Sequence, residues 1–350
     1  MRLTSIVFAS LLMLTAGATI VPAQTTSQTF DFTTKPSAQG LQEIATILRT
    51  VGNIKQLSVD AAASTVTVQG TADELSMTAW IVHELDQPNA QSVSSSPAQQ
   101  YLVAGQSDDV IRVFHLANIS PQPPQAMQEA LTILRTVADV QKVYNYTALA
   151  DLVVRGPASQ IAVSEYLINS LDVVKGSVTT TAEYQYQAPG QGSQVARVFY
   201  LAHATTPQSV QEILTVIRTV ADIQKIFNFT PLNALAIRGT ANDIAVCDFL
   251  IQSLDIASAP STGPSASLRE YHMPGNARAG DSFVRVFYPA HIDTQAGIQQ
   301  TITQLRTDLQ IMKVFNRSSP TALVVRGSAD QIAKAELLIK DRDQPAKSTP

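Results

Sequence analysis

The chain has 350 residues, 45% of them hydrophobic and 15% charged, and its 24 basic and 28 acidic side chains give a net charge of −4. A mildly acidic chain lacks the basic surface that nucleic-acid binding requires, which argues against a DNA- or RNA-binding role. The single cysteine, Cys247, cannot form a disulfide within the chain, so the fold must be stable without one.

The first 23 residues have the pattern of a secretory signal peptide. Arg2 supplies the positive charge, residues 6–14 form a short apolar run, and Val21-Pro22-Ala23 offers small residues for cleavage. The apolar run is too short to cross a bilayer as a helix, so we expect no transmembrane segment after cleavage. Loss of Arg2 leaves 23 basic and 28 acidic groups and a net charge of −5.

One phrase recurs four times in the rest of the chain. Each copy contains (Leu/Ile)-Arg-Thr, then an (Arg/Gln)-Gly pair 20 residues after the arginine, then an aspartate 17 residues further on. Constant spacing indicates a single supersecondary unit repeated four times. In chain order the arginines are Arg49, Arg135, Arg218 and Arg306, the pairs begin at Gln69, Arg155, Arg238 and Arg326, and the aspartates are Asp86, Asp172, Asp255 and Asp343.

The third copy gives the order of elements most clearly. Residues 195–202 predict a strand, and Thr206-Pro207 is typical of a helix start. Apolar residues then recur at helical spacing up to Ile217, which predicts an amphipathic helix. Residues 225–229 and 234–238 predict two more strands. A second helix follows, and its start in copies one, three and four is a capping box at Thr71–Glu74, Thr240–Asp243 and Ser328–Gln331.

These elements predict an α+β fold of four tandem βαββα modules, each a three-stranded sheet with two helices on one face. A Tyr-x-x-(Ala/Pro)-Gly phrase predicts an extra N-terminal strand in modules 2–4, at Tyr101–Gly105, Tyr186–Gly190 and Tyr271–Gly275. The predicted modules span 28–88, 100–173, 183–256 and 269–345. Polar stretches at 87–99, 174–182 and 257–268 are interpreted as flexible linkers.

A family resemblance is carried by short phrases in each copy. In copy three they are Val198-Phe199, Leu201, Ile217-Arg218-Thr219, Asn233-Ala234-Leu235, Arg238-Gly239, Ile244-Ala245 and Leu254-Asp255. Their order resembles the repeated N-terminal domain of bacterial secretins, the NolW-like domain of secretion and type IV pilus machines, over about residues 28–345. The resemblance implies a KH-related fold, a periplasmic address and a role in ring assembly and partner docking, without enzymatic activity, cofactor or metal. A secretin continues into a pore segment, whereas only five residues follow Pro345, so we expect a secretin collar without its channel.

Catalytic and metal-binding patterns are weak. The histidines are spread along the modules, which does not bring three ligands to one ion, and we expect His203 and His291 to be polar strand-end residues. Neither a G-x-S-x-G elbow nor the GXXG loop of an RNA-binding KH domain occurs in the sequence. Trp80 is interpreted as a packing residue. We therefore assign no catalytic, cofactor or metal site.

The repeated aspartates Asp172, Asp255 and Asp343 follow the second helix, where the helix dipole disfavours a negative charge. We expect each to pair with the arginine of the (Arg/Gln)-Gly pair in its own module.

The candidate protein interface is an aromatic stripe on the second strand of the module. Strand alternation leaves two interpretations open: the aromatics face outward and bind a partner, or they belong to the core while the Val/Asn set faces solvent. Copy one has Ser58 and Asp60 at these positions and copy four has Arg317, as expected of end copies in a stacked array. The stripe consists of Tyr144, Tyr146, Phe227, Phe229 and Phe315.

The sequence therefore predicts an exported, non-enzymatic scaffold or docking protein, periplasmic or associated with the outer membrane. Its modules are expected to associate with copies of the same chain, as a homo-oligomer, or with a secretin or pilus component. The alternative is an exported ligand- or glycan-binding protein that uses the modules as a platform. A deep pocket lined by non-repeated residues would favour that alternative.

Overall fold

The computed structural model describes residues 25–87, 100–106, 108–260, 269–273 and 281–345. Within these ranges the chain forms fifteen strands and eight helices, arranged as four small antiparallel sheets that each carry two helices. The predicted signal peptide, residues 1–23, lies outside them.

Module 1 is a three-stranded sheet with two helices. Its strands pair in the order β1-β3-β2, and every pair is antiparallel. Its elements are β1 (Thr26–Asp31), α1 (Ala38–Thr50), β2 (Gln56–Asp60), β3 (Thr65–Gly70) and α2 (Ala72–Leu85).

Modules 2, 3 and 4 repeat this order and add a hairpin strand at the start, so each sheet has four strands with the hairpin strand at one edge. Module 2 consists of β4 (Gln100–Leu102), β5 (Asp109–His115), α3 (Gln125–Thr136), β6 (Lys142–Tyr146), β7 (Asp151–Pro157) and α4 (Ala158–Leu171). Module 3 consists of β8 (Tyr184–Ala188), β9 (Gly192–Tyr200), α5 (Pro207–Val220), β10 (Ile226–Phe229), β11 (Ala234–Gly239) and α6 (Ala241–Leu254). Module 4 consists of β12 (Arg269–His272), β13 (Phe283–Phe287), α7 (Gln295–Thr307), β14 (Lys313–Ser318), β15 (Thr321–Gly327) and α8 (Ala329–Arg342).

The predicted α+β fold of four βαββα modules with an added strand in modules 2–4 is confirmed. The hairpin turns need left-handed backbone at glycine, with φ of 76° at Gly105 and 71° at Gly190. The three predicted capping boxes are present, and each satisfies backbone N–H groups that the helix start leaves free. Thr206 caps α5 with Pro207 at the first helical position, as predicted.

Each sheet has an inner face, which its own two helices cover, and an outer face on the other side. In module 3 the inner face buries Leu235 and Ile237 against Ile213, Ile217 and Leu250 of the helices. Fully burying one aliphatic side chain of this size contributes roughly 1.5–3 kcal/mol. The apolar stripe predicted for the first helix, which includes Ile213 and Ile217, thus packs on the inner face of its own sheet.

Of the three predicted linkers, only 174–182 lies wholly within the described residues. Hydrogen bonds hold its C-terminal part between two modules: Thr181 Oγ1 donates to the carbonyl oxygen of Val198 at 2.7 Å, and the Tyr166 hydroxyl donates to that of Ala182 at 2.8 Å.

Candidate functional site

The outer faces of modules 2, 3 and 4 are covered by the preceding module. Helix α1 packs on β6, α3 on β10 and α5 on β14, so each first helix lies between its own sheet and the next one. We call these contacts junctions 1/2, 2/3 and 3/4. Their outer-face residues are buried in clusters that cross from one module to the next, and they include Ile111, Val113 and Val153 at 1/2, Ala196, Val198 and Ala236 at 2/3, and Val284, Val286 and Val324 at 3/4.

The aromatic stripe lies in these junctions. Tyr146 is 2% exposed and Phe229 is 1% exposed, and both belong to the core cluster of the module before their own. Tyr144, Phe227 and Phe315 are half-buried against the same clusters. The aromatics face away from their own helices, and the surface that they contact is the preceding module of the same chain.

A glutamate at one position of the first helix ties each junction together. The Glu43 carboxylate accepts the Thr147 backbone N–H at 2.8 Å. The Glu129 carboxylate accepts both the backbone N–H and the hydroxyl of Thr230, each at 2.7 Å. Glu212 accepts from Ser318 in the same way. The sequence contained a signal for this contact, because these acids stand six residues before the (Leu/Ile)-Arg-Thr arginine in copies one to three and Gln300 replaces them in copy four.

At junctions 2/3 and 3/4 an ion pair also joins the arginine of the (Arg/Gln)-Gly pair to the preceding module, whereas at junction 1/2 Arg155 pairs with Asp109 of its own module and donates to the Val51 carbonyl oxygen at 3.0 Å. At junction 2/3, Asp139 follows α3 in left-handed backbone and binds Lys225 and Arg238, whose Nη2 lies 2.5 Å from the carboxylate. Burial would raise the pKa of Asp139, but the bonds from Lys225 and Arg238 outweigh it and the pKa is lowered. Asp222 contacts Lys313 and Arg326 equivalently at junction 3/4.

The prediction that Asp172, Asp255 and Asp343 pair with these arginines is therefore wrong. The Asp172 carboxylate accepts three successive backbone N–H groups, from residues 117–119, at 2.6–2.8 Å. Asp255 binds residues 202–204 and Asp343 binds residues 290–292 in the same way. The loop after the first strand offers a concave row of donors that suits a carboxylate, whereas the arginine reaches into the neighbouring module. His203 and His291 contribute backbone donors to these rows.

The second helices also reach across the junctions. Trp80 of α2 packs on Tyr101 of the next hairpin strand, with ring centroids 5.7 Å apart. Tyr166 stacks on Tyr184 at 5.2 Å, and Phe249 packs on Tyr271 at 5.5 Å. Trp80 has the packing role predicted for it. The hairpin strand of modules 2, 3 and 4 provides the tyrosine that this aromatic contact requires.

Among the three junctions, only junction 1/2 has a histidine–carboxylate pair, and the histidine is the last residue of β5. His115 Nδ1 lies 2.8 Å from Asp151 Oδ1, and the Asp151 side chain is fully buried. Burial would lower the pKa of His115, but the hydrogen bond and the charge of Asp151 raise it. In the other two junctions a tyrosine stands at this position, and the hydroxyls of Tyr200 and Tyr288 donate to the carbonyl oxygens of Ser170 and Ser253.

The described residues contain few features typical of a catalytic or metal-binding site. They contain no cluster of three or more His, Cys, Asp or Glu side chains placed to hold a metal ion. The Cys247 thiol is fully buried, and burial raises its pKa well above the ordinary value. A cleft of about 610 Å³ lies at junction 2/3, and its walls are mainly apolar, including Val174, Val210 and Phe229. Of the described helices, none is both long and apolar enough to cross a membrane.

No protein-family model matches the chain, and no curated protein matches its sequence. Several solved structures that match it are secretin N-terminal domains. That of the secretin XcpQ from Pseudomonas aeruginosa is 14% identical over 44% of this chain, with a TM-score of 0.18. ExeD from Aeromonas hydrophila is 16% identical over 67% of this chain, with a TM-score of 0.16. The chain spans 65% of the XcpQ domain and 41% of ExeD. An a/eIF2alpha–aDim2p–rRNA complex from Pyrococcus horikoshii also matches, at 11% identity over 42% of this chain and 85% of that one, with a TM-score of 0.24.

Proposed function

We propose that this chain is an exported, non-enzymatic scaffold that works as a rigid stack of four modules. Its partners are copies of itself or a secretin or pilus component, in the periplasm or at the outer membrane. The observation that carries the proposal is the repeated junction: the glutamate and aromatic contacts recur at all three junctions, and the aspartate–arginine contact recurs at 2/3 and 3/4. Rigid, repeated surfaces suit multivalent protein contacts better than they suit a single catalytic centre.

The partners of the half-buried carboxylates favour a structural role over catalysis. Asp139 is bound by Lys225 and Arg238, and Asp172 accepts three backbone N–H groups, so both are poor candidates for an acid or base that must exchange protons with a substrate. Arg112 is likewise held by Glu165 within module 2.

The proposal is tested with the chain expressed with its own N-terminus and recovered from the periplasm. Mass photometry measures its assembly, and pull-down with the periplasmic part of a secretin from the same genome measures docking. A Phe229→Asp variant, which breaks junction 2/3, should lose both activities, whereas Lys334→Gln, at an exposed ion pair, should keep them. A wild-type chain that is strictly monomeric and captures no secretin or pilus component contradicts the proposal.

A second candidate function is ligand binding in the cleft at junction 2/3. Its size and apolar walls are those of a small-molecule site. Anilinonaphthalene sulfonate fluorescence tests it, with Val174→Asp as the blocking variant, because Val174 lines the cleft but is 64% exposed and its replacement spares the core. Equal fluorescence of the wild type and the variant would exclude a cleft site.

A further inference from the structure

At the two ends of the stack, the positions that correspond to junction residues hold different, mostly polar side chains. The N-terminal end is the outer face of module 1, and strand register aligns it with the outer face of module 2. Ser27 pairs with Gln69 on β3 as Ile111 pairs with Arg155 on β7. Thr29 likewise pairs with Thr67 as Val113 pairs with Val153. The full N-terminal set is Ser27, Thr29, Ser58, Asp60 and Thr67 in place of Ile111, Val113, Tyr144, Tyr146 and Val153.

The ionic contacts are replaced at this end as well. Gln69 stands where Arg155, Arg238 and Arg326 reach into the preceding module. The hydroxyl groups of Thr29 and Thr67 are hydrogen-bonded to each other across the sheet, with their oxygens 2.9 Å apart. The result is a polar face that water already solvates.

The C-terminal end is the side of α7 that corresponds to the junction side of α5. Gln304 and Asp308 replace Val216 and Val220, and Gln300 replaces the junction glutamate Glu212. Gln310 replaces the Asp139 and Asp222 carboxylates.

Arg342 forms hydrogen bonds with polar side chains of this C-terminal face. It stands where Leu85, Leu171 and Leu254 end the second helices of the other modules. Its guanidinium donates to Thr301 Oγ1 at 3.0 Å, to Gln304 Oε1 at 2.7 Å and to Gln300 Oε1 at 2.8 Å.

Stacking one end on the other would remove water from these polar groups and supply few partners in return. Two exposed apolar side chains remain in module 4, and one of them is Met312, which precedes β14 and is 68% exposed. The other is Leu337 of α8, which stands at the position of Trp80, Tyr166 and Phe249 and is also 68% exposed. Its counterpart in a junction is a tyrosine on a hairpin strand, and the described part of module 1 has no such strand.

We infer that the ends of the four-module stack are closed to each other, so that a second copy of this chain cannot extend the stack through the junction contact. Contact between copies therefore excludes the two ends of the stack, and we expect no head-to-tail filaments. This inference does not depend on which machine the chain serves, so it and the proposed function can fail separately.

Cysteine cross-linking tests the inference at the position of the junction glutamate. In junction 2/3, Glu129 and Thr230 are hydrogen-bonded, so Glu129→Cys with Thr230→Cys is the control pair that should cross-link within one chain. The corresponding positions at the free ends are Gln300 and Ala61, which are both exposed. Gln300→Cys with Ala61→Cys should give no cross-link between copies, whereas a ladder of covalent dimers and higher species would overturn the inference. Cys247 is buried and can stay.

A gain-of-contact variant tests the chemistry of the ends directly. It combines Gln304→Val, Asp308→Val and Arg342→Leu with Ser58→Tyr and Asp60→Phe. Mass photometry should show species that lengthen with concentration in the variant and not in the wild type. A folded variant, checked by circular dichroism, with the wild-type mass distribution would mean that these polar residues are not what closes the ends. If the variant does not fold, the cross-linking result alone decides.

Discussion

Replacing Asp139 by asparagine is expected to weaken junction 2/3 strongly. The Arg238 side chain is 2% exposed, and Asp139 is its charge partner, with Nη2 at 2.5 Å. Removing one member of a buried pair leaves the other charge without compensation, at a cost of about 3–5 kcal/mol. We expect a loss of about 3 kcal/mol, at the low end, because Tyr186 and Gln191 still contact the guanidinium at 3.2 Å.

Urea unfolding of the full chain measures this loss, as a midpoint lower by about 1 M for a slope near 3 kcal/mol per M. The matched control is Asp330→Asn, since Asp330 binds Lys334 at 2.7 Å in an exposed pair and should change stability by less than about 0.5 kcal/mol. Because the pKa of Asp139 is lowered from 3.8, its stabilising effect is complete above that value and is lost as the pH falls through the folded pKa. Equal midpoints for the two variants at neutral pH would refute the reasoning.

Three further changes test other contacts. Phe229→Ala should destabilise the chain by about 3–5 kcal/mol in urea unfolding, because this 1% exposed ring fills the junction; a loss below about 1 kcal/mol would show that the ring is not packed there. Asp172→Asn should cost about 1–3 kcal/mol, since the amide cannot accept all three backbone donors; amide hydrogen exchange at residues 117–119 should rise in this variant and not elsewhere. The raised pKa of His115 means that its contribution is complete below 6.5 and is lost as the pH rises through the folded value; His115→Asn should flatten this part of the stability profile, and an unchanged profile would contradict the pairing with Asp151.

Local rules accounted for most of the fold. The capping boxes at Thr71, Thr240 and Ser328 and the start of α5 at Thr206-Pro207 depend on neighbours within one helical turn, and such contacts can be predicted from sequence alone. The hairpin strands were equally predictable, because a glycine turn between two short strands leaves little choice of structure.

The junctions could not be predicted from these rules. Alternation along β10 identified two faces of the strand, but it could not say that α3 covers the face with Phe229. Arg238 and Asp139 are 99 residues apart, and a helix-dipole argument about Asp255 concerns only its own helix. Comparison between copies held the missing information, since the end copies lose the same residues that the inner copies use against each other.

Because the outer faces of modules 2, 3 and 4 each rest on a helix of the preceding module, the array has a direction. A polypeptide that emerges N-terminus first would complete module 1, whose open sheet face is polar, before any apolar outer face emerges. Each later sheet then meets a helix that is already in place, so hydrophobic surface is covered as it appears. A fragment that begins at module 2 has no such helix to meet, and its bare Ile111 and Val113 face should make it prone to aggregate.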